Sequence, residues 1–189
     1  MTMRTSLRIM ALGAALAGTG LVAQEAQKTW TAGGSVTVAL DGLKEVTHTS
    51  NGLVLDFGYN GHLGATTVPF RVSLGYQYFP GKEDQGVKAS LTSFQLAGDI
   101  FIDSPWKGLQ FITGLSANKY KVKEEATGFG SATESVKGLK FGARLGLEYQ
   151  FNAAWSGQLL LQMTELGTDA AATTGVNPSW LQAGVKFHF

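Results

Sequence analysis

The sequence predicts an all-β fold, an eight-stranded antiparallel transmembrane β-barrel. Three observations lead to this prediction. Apolar and polar side chains alternate with a period of two along eight segments, the connections between these segments are alternately short and long, and the chain begins with a segment typical of export signals. Period-two alternation indicates strands with one apolar face, and an even number of such strands is the pattern of barrels that cross membranes.

Composition limits the ways in which this chain can cross a membrane. Its 189 residues are enough for one domain. Beyond the N-terminus no stretch reaches the ~18 apolar residues of a transmembrane helix. Spanning would therefore require a closed barrel, in which every backbone polar group is paired. The chain contains no cysteine, which excludes disulfides and thiolate metal sites.

The N-terminus has the features of a secretory signal. Arg4 and Arg8 precede the apolar, small-residue segment 9–23, which is too short to be a stable span. We expect a signal peptide at residues 1–23, cleaved after Ala23, and a barrel domain at residues 24–189. Removing the two arginines from 15 basic residues leaves 13 against 14 acidic ones, a net charge of −1. This balance gives no basic field for nucleic acid, so we expect no nucleic-acid partner.

The segment 139–151 shows the alternation most clearly. Its odd positions, from Leu139 to Phe151, are apolar, whereas its even positions are polar, charged or glycine. Because successive strand side chains point to opposite faces, one face of this strand is apolar. The same pattern recurs over residues 30–40, 53–63, 68–78, 88–102, 109–121, 155–165 and 181–189. The apolar exceptions on the polar face, which we expect to fill a narrow interior, are Val54, Phe101, Ile112, Leu160 and Trp180.

Alternation alone does not decide which face is inside. A soluble lipocalin-like barrel would turn its apolar face inward. The polar face here consists mainly of Gly, Ser, Thr, Gln and Asn with single charges, whereas a soluble surface is usually about 25–35% Lys, Arg, Glu and Asp. The apolar face also runs for about 10 residues per strand, enough to cross a bilayer at a tilt. We therefore predict an apolar exterior and a polar lumen.

Connection lengths and aromatic residues support a membrane barrel with both termini in the periplasm. Short links fall near residues 64–67, 103–107 and 152–154, and longer polar links at 41–52, 79–87, 122–135 and 166–178. Short periplasmic turns and longer outer loops are the outer-membrane pattern. Aromatic belts mark lipid–water boundaries. We expect a periplasmic belt of Trp30, Tyr59, Trp106, Tyr149, Phe151, Trp155, Phe187 and Phe189, and an outer belt of Tyr76, Tyr78, Tyr120 and Trp180.

Two stretches resemble a known family. The ending LQAGVKFHF, with Val185, Phe187 and Phe189 at alternate positions, is similar to the C-terminal assembly signal of Gram-negative outer-membrane proteins. The stretch KFGARLGLEYQF resembles a strand of the small barrels of the OmpA transmembrane and OmpX type, with an OmpW-like protein as a further possibility. The resemblance implies a location in the bacterial outer membrane and insertion by the barrel-assembly machinery. It does not imply one activity.

The sequence contains no recognisable catalytic or metal-binding motif. Neither H-E-x-x-H nor G-x-S-x-G occurs, and the histidines His48, His62 and His188 are dispersed. We expect no enzyme activity, no cofactor and no metal. Three function classes remain open: a structural or surface-interaction barrel, a narrow channel for small or apolar solutes, and a lipid A-modifying enzyme, for which His48 beside Thr49 and Ser50 is the candidate. We favour the first of these, as a monomer.

Charged residues on the lumen parity predict a plugged interior. The set comprises Asp56, Arg71, Asp99, Lys140, Arg144, Glu148 and Lys186. An eight-stranded barrel is only wide enough for side chains to fill it, and buried charges must be paired. A chain reversal at residues 63–64 would place Asp56 opposite Arg71. We expect that pair, and a network that joins Glu148 and Asp99 to Arg144 and Lys186.

Lysines collect on the lipid-facing parity at the outer ends of three neighbouring strands. They are Lys88, Lys119, Lys121, Lys123 and Lys137. Acids do not alternate with them on that face, since Glu124 and Glu125 are expected in a loop. Lysines near anionic headgroups gain about 1 kcal/mol each, which predicts a contact with lipopolysaccharide phosphates. The alternative is that these side chains only snorkel to a wetted rim.

Overall fold

The structure is a computed structural model that describes residues 29–40, 43, 47, 51–63, 68–84, 86–126, 130–135, 138–164 and 179–189. The expected signal peptide, His48 and Lys137 lie outside the described residues. The strands are β1 (Trp30–Leu40), β2 (Asn51–His62), β3 (Pro69–Phe79), β4 (Glu83–Asp84), β5 (Val87–Asp103), β6 (Leu109–Ala126), β7 (Gly130–Ser135), β8 (Lys140–Gln150), β9 (Trp155–Thr164) and β10 (Ser179–His188). Among the residues described, no helix is long and apolar enough to cross a membrane.

Eight of these strands close into an antiparallel barrel. Each of β1, β2, β3, β5, β6, β8, β9 and β10 pairs with the next, and β10 pairs back onto β1. At the seam the register runs from Thr31 opposite His188 to Leu40 opposite Ser179. Trp30 N donates to Phe189 O at 3.0 Å, and Phe189 N donates to Trp30 O at 2.9 Å. The predicted eight-stranded barrel is confirmed, and each of its strands overlaps a predicted segment.

Two stretches that the sequence assigned to loops contain strands. β5 and β6 extend beyond the barrel wall, with β4 added along β5 and β7 added along β6. The expected loops at 79–87 and 122–135 are therefore wrong in part. Their polarity suggested loops, but the side chains alternate between the two faces of a hairpin. This hairpin projects from the loop end of the barrel, which is the end opposite both termini. Gly86 directly precedes β5 and Gly130 begins β7, at φ of 78° and 92°, a conformation that glycine adopts without steric cost.

The apolar face of every barrel strand points outward. Leu55, Leu74 and Leu115 have 64%, 64% and 72% of their surface exposed, whereas Asn118 and Gln162 are fully buried. A soluble barrel would show the reverse arrangement. The predicted apolar exterior and polar lumen are confirmed, and the lipocalin-like alternative is wrong for this chain.

Apolar side chains in the lumen form two separate clusters. Phe101, Ile112 and Leu160 form one. The other closes the loop end of the lumen and comprises Ala39, Leu43, Phe79, Leu91, Tyr120, Val122 and Trp180. The expected outer-belt positions of Tyr120 and Trp180 are therefore wrong, because both occupy the inward parity of their strands. Tyr76 and Tyr78 do lie on the outer surface, at 39% and 36% exposure.

Gly184 packs closely against a lumen side chain, and this contact allows the packing of the interior to be tested. A Cβ built at Gly184 would overlap Ser35 Oγ and Gly34 O, whereas a Cβ at Gly98, on the outer face, would meet nothing within 4 Å. We predict that Gly184→Val lowers the free energy of unfolding by about 1–3 kcal/mol, the cost of overpacking. Gly98→Val, the matched control, should change it little. Urea unfolding in lipid vesicles, followed by the gel mobility of the folded barrel, measures both, and equal losses would contradict the packing.

Candidate functional site

An arginine crosses the lumen to a glutamate on the opposite wall. Arg71 on β3 donates from Nη1 to Glu148 Oε2 at 2.8 Å and from Nη2 to Glu148 Oε1 at 3.0 Å. Both side chains are almost fully buried. The Arg71 guanidinium also lies 4.8 Å from the ring centre of Phe101. Two parallel charge-assisted hydrogen bonds fix the orientation as well as the distance of this pair.

A second arginine is bonded at three of its nitrogen atoms. Arg144 Nε and Nη2 donate to the two carboxylate oxygens of Asp99 at 2.8 and 3.0 Å. Its Nη1 donates to Gln95 Oε1 at 2.8 Å and to Gln162 Oε1 at 3.1 Å. Gln95 and Gln162 in turn donate to Asn118 Oδ1 at 2.9 and 3.2 Å. The guanidinium is therefore enclosed by polar side chains, as a buried charge requires.

The third ion pair spans the seam strand. Lys186 on β10 binds Asp56 on β2, and both side chains are buried. Gly33 of β1 lies between them, in register with Lys186 on one side and with Asp56 on the other. A Cβ at Gly33 would come within 2.6 Å of Lys186 Cδ. Glycine at this position leaves room for the lysine to cross the strand.

The expected pairing of Asp56 with Arg71 is wrong. Asp56 lies opposite Gly75, and Arg71 lies opposite Asn60, to which its Nε donates at 2.9 Å. The error is one of register, because the reversal between β2 and β3 is centred between residues 65 and 66 rather than at 63–64. The structure brings six of the seven expected lumen charges into ion pairs. Lys140 is only partly buried and pairs with no described acid.

Glu148 is also the centre of a cluster that the sequence analysis missed. Ser156 Oγ donates to Glu148 Oε1 at 2.8 Å and lies 2.8 Å from His188 Nε2. His188 Nε2 is 3.7 Å from the same Glu148 oxygen. In a catalytic triad the histidine lies between the serine and the carboxylate, whereas here the serine contacts both and is fully buried. The three residues occupy lumen-facing positions on the neighbouring strands β8, β9 and β10, and this shared parity was the sequence signal that could have predicted the cluster.

The lysines of the outer face surround an open recess. Three of the five expected lysines, Lys88, Lys121 and Lys123, line a cavity of about 250 Å³ on the projecting sheet. Lys119 lies nearer the apolar band, where its Nζ contacts Gly138 O at 3.4 Å. Lys137 is outside the described residues. The structure thus brings together the part of the predicted patch that lies farthest from the apolar band.

The expectation that this face carries no acid is wrong. Glu125 belongs to β6 and forms an ion pair with Lys123 on the same face. It also lies opposite Lys88, which is in register with Glu83 on its other side. The hydrogen bond between Lys123 and Glu125 lowers the pKa of the Glu125 carboxyl and raises the pKa of the Lys123 ammonium. The two groups therefore favour each other's charged forms.

The residues of the expected assembly signal lie at the barrel seam. Val185, Phe187 and Phe189 face outward on or beside β10. The Phe189 ring is 5.8 Å from the Phe187 ring and 6.2 Å from that of Phe57. Phe57 lies 5.3 Å from Trp30 on β1. Aromatic side chains therefore join the last strand to the first on the outer surface.

Comparisons with known proteins agree on one architecture. Residues 9–189 match the family described as outer membrane protein beta-barrel domain. No curated protein sequence matches significantly.

Three solved structures share this fold. Neisserial surface protein A superposes with a TM-score of 0.62 at 13% identity, over 87% of this chain and 98% of that one. The attachment invasion locus protein Ail of Yersinia pestis gives 0.59 at 12%, over 86% and 97%. The N-terminal β-barrel domain of Pseudomonas aeruginosa OprF gives 0.57 at 15%, over 86% and 98%. At these identities the likeness concerns the fold alone.

The lumen ion pairs generate a stability prediction. Asp99→Asn leaves the Arg144 guanidinium buried without its counter-charge, and we predict a loss of about 3–5 kcal/mol in the free energy of unfolding. Asp103→Asn is the matched control on the same strand, since Asp103 is exposed and accepts a hydrogen bond from Gln110 Nε2 at 2.8 Å. Adding Arg144→Met to Asp99→Asn should recover part of the loss, because it removes the unpaired charge. Equilibrium unfolding in vesicles provides the three values, and equal effects at Asp99 and Asp103 would contradict the prediction.

Proposed function

The chain belongs to the family of outer membrane protein β-barrel domains, and from this premise we propose that it is a non-catalytic barrel with a structural or surface-interaction role. The protein is located in the bacterial outer membrane. We further propose that its lumen is plugged by paired charges, that its outer rim contacts lipopolysaccharide, and that it acts as a monomer. Insertion would use the barrel-assembly machinery, with Val185, Phe187 and Phe189 as the recognition signal.

The proposal of a plugged lumen is supported chiefly by the one-to-one pairing of the lumen charges. Arg71 with Glu148, Arg144 with Asp99, and Lys186 with Asp56 leave these six charges balanced. Toward the loop end, the aromatic rings of Phe79 and Trp180 contact each other at 5.8 Å across the lumen. Moving an ion through would require breaking buried pairs, which costs several kcal/mol each. This arrangement supports a plug over the alternative of a narrow solute channel.

The geometry of the Ser–His–Glu cluster supports a non-catalytic role. Ser156 is fully buried, and its hydroxyl lies 2.8 Å from both Glu148 Oε1 and His188 Nε2, so its hydrogen-bonding positions are occupied by buried side chains. Among the described residues, no group of three or more His, Asp or Glu could hold a metal ion. A lipid A-modifying activity would need a nucleophile accessible to the lipid, and this cluster does not supply one.

Lysines near the loop end support the proposed lipopolysaccharide contact. The outer leaflet presents phosphates at the level where an outward-facing lysine leaves the apolar band. Lys119, Lys121 and Lys123 lie on successive outward positions of β6, directly beyond Leu115 and Ala117. The related barrel Ail has been crystallised with the heparin analogue sucrose octasulfate, a polyanionic sugar. Snorkelling without a specific contact is the competing interpretation.

Conductance distinguishes the plug from the channel. We predict that the purified barrel, inserted in planar bilayers, gives no stable steps in the nanosiemens range, because its interior charges are paired across the lumen. A general porin reconstituted in the same bilayers provides the positive control for insertion and recording. Reproducible steps from the barrel, at a frequency that follows its concentration, would reject the plug.

Retention of lipid distinguishes a specific contact from snorkelling. We predict that replacing Lys119, Lys121 and Lys137 together by Gln lowers the amount of co-purifying lipopolysaccharide and removes the effect of added lipopolysaccharide on thermal stability. The lipid contact should weaken by about 1 kcal/mol for each lysine replaced. Lys107→Gln serves as a control at the opposite end of the barrel. Unchanged retention and unchanged melting in the triple variant would leave only snorkelling.

A further inference from the structure

The recess on the projecting sheet has two levels of side chains. At the lower level, Tyr78 on β3 lies opposite Thr92 on β5, which in turn lies opposite Lys121 on β6. At the upper level, Lys88 on β5 and Glu125 on β6 face each other, with Lys123 between the two levels. All of these residues line the same cavity of about 250 Å³. This is below the ~300 Å³ at which pockets for drug-sized ligands begin, so the recess suits one small group.

The position of the recess relative to the apolar band fixes its level in the membrane. The outward position below Thr92 on β5 is Phe94, which is 59% exposed, and apolar outward residues continue to Ile102. At about 3.4 Å per residue these eight steps span about 27 Å along the strand. A tilt of about 40° reduces this to about 21 Å of height, close to the ~25 Å apolar band of such barrels. The recess therefore begins where the acyl chains end.

The lining combines groups that suit a phosphorylated sugar. Three lysines and one glutamate line the recess, and Glu83 lies beside it in register with Lys88, which leaves one surplus positive charge. Ser90, Thr92 and Thr133 add hydroxyl groups. Tyr78 offers a half-exposed ring with a polar tip, which suits a group that is apolar on one side and wet on the other. Charged headgroups of the outer leaflet are the anions that reach this level.

We propose that this recess binds one phosphorylated sugar of an outer-leaflet glycolipid headgroup, with Lys88 and Lys121 on the phosphate and Tyr78 and Thr92 on the sugar. This inference rests on the proposed lipopolysaccharide contact and assigns it to a defined site. Lys88 and Lys121 enter from neighbouring strands on opposite levels of the recess, so a phosphate between them receives charge from both sides.

Glu125 sets the strength of this site. Its carboxylate holds Lys123 in an ion pair and lies opposite Lys88, so it competes with an incoming phosphate for both ammonium groups. Both partners are about half exposed, which leaves the pair open to exchange. Removing the carboxylate should therefore strengthen binding, whereas a structural salt bridge alone would only lose stability. An increase in affinity on removal of Glu125 therefore distinguishes a ligand site from a rim that is merely charged.

The experiment measures binding of bis-phosphorylated lipid A to the full barrel in detergent micelles, with dephosphorylated lipid A as the matched ligand. We expect Lys88→Gln to weaken binding about fivefold, which corresponds to about 1 kcal/mol for one lysine. The double variant Lys88→Gln with Thr92→Val should bind more weakly still. Glu125→Gln should tighten binding about fivefold for the same reason. Lys107→Gln should leave binding unchanged, and thermal melting without lipid shows whether each variant is folded.

The outcomes separate this site from the wider lipid contact. If the Lys119, Lys121 and Lys137 triple variant loses lipid A while Lys88→Gln and Glu125→Gln bind as the wild type does, the recess is rejected and the patch stands. If the triple variant also binds normally, the proposed lipopolysaccharide contact itself is rejected. Equal binding of phosphorylated and dephosphorylated lipid A, or full competition by millimolar glucose 1-phosphate, would also overturn a site for a glycolipid phosphate.

Discussion

The pairing of every backbone amide within lipid is the constraint on which this structure depends. Hydrocarbon offers no alternative partner to an N–H or C=O group, so the sheet must close on itself. Closure is completed by Trp30 and Phe189, whose main chains exchange both hydrogen bonds. The aromatic contacts of Phe189 with Phe57 and Phe187 cover the same seam from outside. Closure with eight strands then determines the width of the lumen and what can fill it.

A narrow lumen requires that polar side chains satisfy one another. Arg71 and Glu148 connect β3 with β8, and Arg144 and Asp99 connect β8 with β5, so ion pairs tie together walls that share no backbone hydrogen bonds. Glycine provides the necessary room, as Gly33 does for Lys186. Replacing buried ion pairs by apolar side chains is often neutral in energy. Each of these pairs joins fixed positions on its two strands, so each is compatible with the observed register and would be broken by a shift of either strand.

Period-two alternation predicted the strands, the faces and the parity of each lumen charge, because these depend on local backbone geometry alone. It did not predict the partners, which depend on the stagger between strands. A shift of the β2–β3 reversal by about two residues was enough to give Asp56 the wrong partner. Parity predicted Trp180 among the side chains that fill the interior and was sufficient to place Tyr120 there too, whereas the general preference of aromatic residues for membrane rims predicted an outer belt for both. The polarity of 122–135 concealed the end of β6 and all of β7, because this part of the sheet lies beyond the apolar band, where outward positions such as Lys123 and Glu125 are polar as in a loop.

Charges serve different purposes on the two sides of this barrel wall. Inside, six charges are matched one to one with little exposure to solvent, so removing one of them leaves its partner buried without a counter-charge. On the projecting sheet, the recess carries three lysines and one glutamate in contact with solvent. Substitutions there change surface contacts without unpairing a backbone amide or a buried ion. The barrel can therefore hold its fold constant while its outer face adapts to the headgroups around it, which is why recognition is expected at the loop end rather than in the lumen.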